Sequence, residues 1–455
     1  MMDPTPYRQA RLARDPRFDG RFFIAVRTTG IYCRPICPAS PPKEENVTYF
    51  DSAIAAANAG YRPCLRCRPD SAPGSWAWRG SDTTVERAVR LIDEGALIDG
   101  AIPTLASRLG ISPRYLNKLF QQRLGTSAKQ YALYQQLMLA KRLLHDTQLP
   151  MAEVAAAAGF GSVRRFNDCF ARELKLPPSQ IRRRSTSKGQ GLTLFLSYRP
   201  PYAWAQLQGF LARRLVPGLE WTGPDHYGRT LALQGGVRGR FTAVHQPKRC
   251  GFEVTLELTE PGPLMPLVHH IRRLLDLDAE IATIDAHLAQ LPGLGPHLQP
   301  GLRLPGIWRP FEAGIRAVLG QQVSVAAARN LVCQLVAEHG ETLGPHRLFP
   351  TPERLAEASL SELRMPDSRR QTLRRLAAHV AEHGEQEDPQ RWQALKGIGP
   401  WTVDYVRLRG RSEPDVFLGG DLGVKHALAR RSLNLDPQAA APWRSYLTFQ
   451  LWNLL

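Results

Sequence analysis

Residues 27–37 read RTTGIYCRPIC and residues 60–67 read GYRPCLRC. Cys33 and Cys37 form one close pair, Cys64 and Cys67 a second, and a modest loop lies between them. This is the spacing of a tetrahedral thiolate zinc site. Each short pair supplies two sulfurs from one turn, and the loop folds back to bring in the other two. Cys33, Cys37, Cys64 and Cys67 are therefore the expected ligands of one Zn²⁺. Two disulfides, or four buried thiols, are the other reading, and nothing in the sequence points to an oxidising compartment, where disulfides persist. Cys169, Cys250 and Cys333 stand singly and read as small buried hydrophobes.

The segment around the cysteines carries more than metal spacing. RTTGIYCRPIC, then ENVTYF at 45–50, then GYRPCLRCRPD resembles the N-terminal domain of the Ada methyl-response proteins. The resemblance implies that the first of the four cysteines, here Cys33, is both zinc ligand and methyl acceptor for DNA phosphotriesters. A metal-bound thiolate stays deprotonated at neutral pH and is a nucleophile without a general base. Methylation leaves a thioether, so the reaction occurs once per protein. It also removes one negative charge from the site, which lessens repulsion from phosphate.

Composition agrees with a polyanionic partner. The chain has 455 residues, enough for three or four domains, and a formal net charge of +18. Such an excess points to nucleic acid before membrane. Hydrophobic residues make up 43%, ample for folded cores. No apolar segment follows a basic start and no stretch approaches a membrane span, so a cytoplasmic, nucleoid-associated protein with reduced thiols is expected.

Polar breaks rich in Pro, Gly and Ser fall at 70–82 (DSAPGSWAWRGSD), at 182–191 (RRRSTSKGQG) and, more softly, at 291–306. They give four expected domains: 1–80, 83–184, 191–299 and 300–455. The block 83–184 contains two copies of one helical pattern, IPTLASRLGISPRYLNKLFQQRLG and LPMAEVAAAAGFGSVRRFNDCFAREL. Each is a short helix, a turn containing Gly110 or Gly159, and a second helix opened by Ser112 or Ser162 as N-cap. A long helix, AKQYALYQQLMLAKRLLHD, joins them. This block, with its FARELKLPPSQIR tail, resembles the all-α double helix-turn-helix domain of AraC-type regulators. The resemblance implies recognition helices at 112–123 and 162–173. Arg114, Asn117 and Lys118 on one, and Arg164, Arg165 and Asn167 on the other, would reach base edges or phosphates. Any one of these could equally be a solvated helix face.

Residues 192–290 open with an alternating stretch, LTLFLSYR, that predicts a strand, followed by a helix from Trp204 to Arg214. RTLALQGG, RGRFTAVHQ and CGFEVTLELTE alternate again and predict antiparallel strands, and MPLVHHIRRLLDL returns to helical spacing. This α+β block resembles the N-terminal domain of AlkA-type 3-methyladenine DNA glycosylases, chiefly structural in that family, and no catalytic residue is expected in it.

Residues 395–405 read LKGIGPWTVDY. Gly397 and Gly399 around one apolar residue predict a tight hairpin between helices, with backbone amides free to meet a DNA phosphate. With VFLGGDLGVKHAL at 416–428, FEAGIRAVLGQQVSVAAA at 311–328 and PWRSYLTFQLW at 442–452, the stretch resembles the all-α helix-hairpin-helix glycosylase superfamily. The resemblance implies that Asp421 is the catalytic carboxylate, stabilising the oxocarbenium character that grows on deoxyribose as the N-glycosidic bond breaks. A helix cap is the plainer role for an Asp in front of LGVKHALARR. Trp401 stands where bifunctional members carry a lysine, so base release without strand cleavage is implied. Trp401, Tyr405 and Trp452 match aromatic positions of the AlkA-type base pocket, where a flipped, electron-poor base would stack. Gln322 stands where relatives insert an apolar wedge into DNA. The superfamily also implies a monovalent cation on the hairpin carbonyls.

The expected protein is thus a fused alkylation-damage response protein, multidomain, with a small α+β zinc domain ahead of the three blocks above. Its expected partners are double-stranded DNA, alkylated or at promoters, and RNA polymerase, with the chain a monomer. No PCHRV motif appears, so a second methyl acceptor for O6-alkylguanine is not expected. The alternative is a transcriptional regulator whose glycosylase-like half only binds DNA.

Overall fold

The apolar run FIAV pairs with VTYF in the first sheet of the protein. The structure, a computed structural model, describes residues 4–15, 18–19, 21–64, 66–67, 69, 83–98, 100–147, 149–182, 192–233, 236–259, 264–385 and 387–455. The expected break at 70–82, and all of the break at 182–191 except Arg182, lie outside the described residues. Two units are present, residues 1–194 with 261–270, and residues 195–260 with 271–455.

In the first unit, α1 (Pro4–Leu12) precedes β1 (Phe23–Val26), β2 (Ile31–Cys33), β3 (Val47–Phe50) and β4 (Arg62–Pro63). The spatial order is β3-β1-β2-β4, with β1 antiparallel to β2 and β3, and β4 parallel to β2. Successive side chains of a strand face opposite ways. Ile24 and Val26 join Ala10 and Phe22 in one apolar cluster, while Phe23, Ala25 and Tyr32 join Ala56 of α2 (Ala53–Asn58) in another. The Ser52 hydroxyl caps α2 by accepting from Ala55 N at 3.1 Å.

The helical part follows: α3 (Thr83–Asp93), α4 (Ile102–Arg108), α5 (Pro113–Leu124), α6 (Ala128–Asp146), α7 (Met151–Ala157), α8 (Val163–Leu174) and α9 (Pro178–Ile181). The long expected helix is α6, residue for residue. Ser112 Oγ accepts from Tyr115 N and Ser162 Oγ from Arg165 N, both at 3.2 Å, so both expected caps form. Gly110 and Gly159 turn the chain with positive φ, 69° and 82°. At Gly159 a Cβ would also lie 2.8 Å from the Gln136 amide nitrogen. The core of the first half gathers Val85, Ile92, Leu105, Leu116, Phe120 and Tyr131, and Ile54 of α2 joins it.

Next along the chain, β5 (Leu192–Ser197), which straddles the division at residue 194, precedes α10 (Trp204–Ala212), and with β6 (Glu220–Thr222), β7 (His226–Ala232), β8 (Arg238–Gln246) and β9 (Gly251–Leu258) it builds a sheet in the order β5-β9-β8-β7-β6. The β6–β7, β7–β8 and β8–β9 pairs are antiparallel, as the alternation predicts. The expected helix at 204–214 stops two residues early, leaving Arg213 and Arg214 in the turn that follows. The division between the units passes through α11 (Leu264–Leu274).

The remaining helices are α12 (Ile281–Leu288), α13 (Pro310–Gly320), α14 (Val325–His339), α15 (Pro352–Glu357), α16 (Asp367–His383), α17 (Pro400–Tyr405), α18 (Leu422–Arg430) and α19 (Arg444–Asn453). A π-helical turn, Val406–Gly410, continues α17.

The last part of the stretch 291–306 is packed into the protein. Residues 301–308 are buried throughout. Arg303, fully buried, donates to the carbonyls of Pro201 at 2.8 Å and Asp276 at 3.0 Å. Prolines and glycines there mark an irregular path, and burial sets in because those carbonyls need donors. One apolar core runs from Val216 and Leu219 through Phe311, Leu335, Leu376 and Trp392. Arg229 of β7 reaches Glu312 of α13 at 2.9 Å, and Arg316 bridges Glu312 (2.8 Å) and Glu220 (3.0 Å), all of them buried or nearly so. Among the described residues, no helix is long and apolar enough to cross a membrane.

Candidate functional site

Three sites emerge. At the end of β2 the strand alternation sends Tyr32 into the α2 face and leaves Cys33 on the other. There the four sulfurs of Cys33, Cys37, Cys64 and Cys67 lie within 4.8 Å of one another, with Cys37 and Cys64 4.0 Å apart. All four are free thiols, which removes the disulfide reading. Four thiolates around one zinc at about 2.3 Å would stand about 3.8 Å apart. The cluster fits a Cys₄ zinc site. Cys37, Cys64 and Cys67 are buried, and Cys33 alone is half-open to solvent. Left to itself the Cys33 thiol opposes ionisation. Hydrogen bonding with Cys37, Cys64 and Cys67, together with burial, raises the Cys33 thiol far above its ordinary range. A divalent cation reverses that balance.

Arg34 frames the cluster. Its backbone N–H donates to Cys67 Sγ at 3.3 Å and its guanidinium to the Cys67 carbonyl at 3.2 Å. The same guanidinium grips buried Asp19, with Nε to Oδ1 at 2.8 Å and a second bond to Oδ2. Tyr32, buried beside Cys33, shares a hydrogen bond with the Tyr134 hydroxyl of α6 at 2.8 Å. No local periodicity links these residues, and the sequence reading missed them.

On α5, Leu116, Leu119, Phe120 and Leu124 are buried, and Arg114, Asn117 and Lys118 are exposed. On α8, Phe166, Cys169, Phe170 and Leu174 are buried, and Arg164, Arg165 and Asn167 are exposed. Each set of expected contact residues thus lies on the solvent side of its helix. Tyr115, 48% exposed, adds an aromatic ring to the first set.

The third site surrounds Asp421. Its carboxylate caps α18 by accepting from Val424 N at 3.1 Å. It also accepts from the indole of Trp452 (Nε1 to Oδ1, 2.9 Å) and the indole of Trp401 (Nε1 to Oδ2, 3.2 Å). Capping and a second role therefore coexist. Gly423 makes room: a Cβ there would stand 3.0 Å from Asp421 Oδ1 and 3.3 Å from the Trp452 ring. Trp401 and Tyr405 face one another at 5.4 Å, and with Trp452 they pack on buried Leu408, Val416 and Leu418.

The hairpin Leu395–Gly399 stands just ahead of Trp401. Gly397 has φ of 97°, and a Cβ there would meet Thr372 Oγ1 at 2.1 Å, so only glycine fits. Gly399 is the N-cap of α17. Gln321 ties the α13–α14 turn to the hairpin, its amide donating to Gly397 O at 3.2 Å and Thr402 Oγ1 at 3.1 Å. Gln322 sits at the tip of that turn, exposed and with φ of 58°, and exposed Val323 and Val325 flank it. Left-handed backbone at a non-glycine residue is strained.

Side chains of the α+β block, in which no catalytic residue is expected, also pack beside this site. Phe210 of α10 stacks on Trp452 at 6.0 Å and 19°. Arg214 lies 3.6 Å over the Phe210 ring, and Arg409 of the π-turn 4.8 Å from it. Arg409 is committed elsewhere, donating to the Tyr405 hydroxyl at 3.2 Å and to the Pro305 carbonyl. Burial holds both guanidinium groups below their ordinary values, Arg214 at about 10.

Thiolate cluster, paired helix-turn-helix units and hairpin-flanked aspartate together define a class of DNA-directed regulator and repair protein. Comparison with known families agrees part by part. The metal binding domain of Ada matches residues 6–70, a helix-turn-helix domain 105–184, the AlkA N-terminal domain 193–309, and the HhH-GPD superfamily of base excision DNA repair proteins 315–441. A "probable bifunctional transcriptional activator/DNA repair enzyme AlkA" of Mycobacterium tuberculosis is 37% identical over 97% of this chain and 95% of its own length. "DNA-3-methyladenine glycosylase 2" of Escherichia coli is 34% identical over 56% of this chain and 95% of its own. The E. coli "bifunctional transcriptional activator/DNA repair enzyme Ada" is 39% identical over 30% of this chain and 36% of its own. The chain belongs to the family of bifunctional transcriptional activator/DNA repair enzymes of the AlkA type. Its four-cysteine cluster is the zinc site of the Ada-type domain.

Proposed function

We propose that the protein repairs alkylated DNA in two ways and reports one of them to transcription. In the first, Cys33 Sγ attacks the methyl carbon of a DNA methylphosphotriester. An S–C bond forms, the C–O bond breaks, and its electron pair stays on the phosphate as an ordinary diester anion, with no proton to move. Zinc on Cys33, Cys37, Cys64 and Cys67 supplies a thiolate at neutral pH. The support for Cys33 among the four is its exposure, since a bulky DNA methyl cannot reach a buried sulfur. The resulting thioether is stable, and the loss of one negative charge favours promoter binding through Arg114, Asn117, Lys118, Arg164, Arg165 and Asn167.

In the second, the Asp421 carboxylate, held between Trp401 and Trp452, carries the reading. An alkylated purine such as 3-methyladenine or 7-methylguanine stacks among Trp401, Tyr405 and Trp452. The N-glycosidic bond breaks with its electron pair on the base, Asp421 stabilises the sugar cation, and water adds to C1′ with loss of a proton. Gly397 and Gly399 meet a phosphate through the hairpin backbone, whose carbonyls also suit a monovalent cation, and Gln322 enters the space the base vacates. The chain then has domains at 1–80, 83–184, 191–299 and 300–455, acts as a monomer in the cytoplasm on the nucleoid, and recruits RNA polymerase.

The test pairs two readouts on the full-length protein. Incubation with methylphosphotriester DNA should add one methyl to the intact mass, mapping to Cys33. Methylated duplex should release free 3-methyladenine and 7-methylguanine with wild type and not with Asp421→Asn. Methyl on another cysteine overturns the first half. Release by neither protein leaves a half that only grips DNA.

A further inference from the structure

The second helices of the two helix-turn-helix units, α5 and α8, start from the same kind of cap, and can be laid over one another residue for residue from Ser112 and Ser162. Leu116, Leu119 and Phe120 of α5 fall on Phe166, Cys169 and Phe170 of α8, and all six are buried. On the outward side Arg114 falls on Arg164, Tyr115 on Arg165, Asn117 on Asn167 and Lys118 on Asp168, and all eight are exposed. Arg114 and Lys118, like Arg164 and Asp168, are one helical turn apart and share a face. The two faces agree at the arginine and the asparagine, and at the last position they carry opposite charge.

Asp168 has no task inside the protein. Among the described residues it makes no hydrogen bond or ion pair. Ser162 caps the helix in its place. Arg172, one turn further on, donates to Glu173 at 3.0 Å instead, and Glu173 also accepts from Gln130 at 3.5 Å. In a chain of net charge +18, a free carboxylate on a face turned to DNA repels phosphate and weakens every complex unless a donor on a base edge meets it. In the major groove the cytosine amino group is such a donor, and guanine offers acceptors to an ammonium. Adenine has an amino group there too, but its N7 lone pair stands beside it and repels a carboxylate.

Resting on the promoter-binding reading above, we propose that Asp168 is a specificity-determining residue of the second unit, accepting from the amino group of a cytosine. The two units then read related subsites in which one G·C pair is inverted, with guanine facing Lys118 and cytosine facing Asp168. The matched arginines and asparagines read what the subsites share. Asp168 acts largely by exclusion, because the keto oxygens of guanine and thymine repel it. The pair of opposite charges thereby fixes which unit takes which subsite.

The experiment selects undamaged duplexes from a library with a randomised central stretch, using the full-length protein before and after incubation with methylphosphotriester DNA. Fluorescence anisotropy then compares the selected duplex with one in which the G·C pair assigned to Asp168 is inverted. Any grip by the glycosylase half is the same on both duplexes and cancels in the ratio. Wild type should prefer the selected duplex by about tenfold, the worth of one base-edge contact. Asp168→Ala should bring the ratio close to one, and Asp168→Lys should reverse it and select guanine at both subsites. A merely solvated aspartate gives a different result: Asp168→Ala tightens binding to both duplexes by the same factor and keeps the ratio, which overturns the proposal. Selection of a base other than cytosine at the position that Asp168→Lys alters also overturns it, while the promoter-binding reading stands. No enriched sequence with either form of the protein overturns both.

Discussion

The Trp452 indole nitrogen lies 2.9 Å from Asp421 Oδ1, and the Trp401 indole nitrogen lies 3.2 Å from Oδ2. Two donors set the plane of the carboxylate, and the cap bond to Val424 N fixes its depth. Asp421→Asn keeps the shape and an acceptor for the cap but removes the charge. Excision of alkylated purines should fall by about a hundred- to a thousand-fold, the usual loss when a group aimed at developing charge is removed. The thermal midpoint, followed by circular dichroism, should shift little. Substantial excision by Asp421→Asn would remove it from the chemistry. Trp452→Phe keeps a smaller aromatic ring and loses the donor, so a lesser drop, about tenfold, is expected.

At the other end of the chain, the four cysteines should not behave alike. Cys33→Ser should keep the fold and much of the zinc, since three buried thiolates remain, and should take up no methyl. Cys64→Ser should lose both zinc and the fold of the sheet domain, because structural zinc contributes about 10–16 kcal/mol to such folds. Metal content by atomic emission, with intact mass after methyl transfer, separates the two. Equal zinc loss in both variants would refute the difference.

Hydrogen bonding between Tyr32 and Tyr134 joins the strand carrying Cys33 to the helix between the two helix-turn-helix units. Tyr134→Phe should destabilise by about 0.5–1.5 kcal/mol, and the double variant with Tyr32→Phe should cost less than the sum of the singles. Chemical denaturation of all four proteins closes the cycle. Strict additivity would mean that the bond carries no energy.

Burial works against the charge of Glu312, but Arg229 and Arg316 outweigh it and hold the carboxyl below its ordinary value. A depressed folded pKa means stability that is present above about pH 4.3, the unfolded value, and lost as pH falls through the folded one. Glu312→Gln leaves two buried guanidinium groups short of a counter-charge and should cost about 3–5 kcal/mol near neutrality. Its denaturation midpoint should also vary less with acid than that of the wild type. A variant as acid-sensitive as the wild type would show that other carboxylates set the slope.

At Gly397 the backbone is left-handed and Thr372 fills the space a side chain needs. Gly397→Ala should destabilise by more than about 1 kcal/mol and displace the hairpin. Weaker binding to unmodified duplex, measured by fluorescence anisotropy, should accompany it. Unchanged binding would place the hairpin away from DNA.

Much of this architecture is legible in short stretches because short-range physics builds it. Ser112 and Ser162 cap their helices where a hydroxyl two or three residues ahead of open amides must. The strands at 226–258 follow two-residue alternation. The stretch 291–306 is irregular for an equally physical reason. Proline and glycine signal irregular backbone, and Arg303 made an irregular backbone compatible with burial by donating to its carbonyls. Arg213 and Arg214 continue the helical spacing of α10 but lie beyond its end, where Arg214 can lean over Phe210.

The order of residues by itself determined the four sulfurs, the two serine-capped helices of the helix-turn-helix units, the glycine hairpin and the acid that follows it, since each depends on partners within a turn or two or on a run of consecutive side chains. Only the tertiary structure decided which sulfur is open, that Asp421 is gripped by indoles 20 and 31 residues away, and that Phe210, with Arg214 over its ring, stacks on Trp452. Such contacts arise where separate apolar faces are buried together, and no periodicity along the chain records which side chains will meet there.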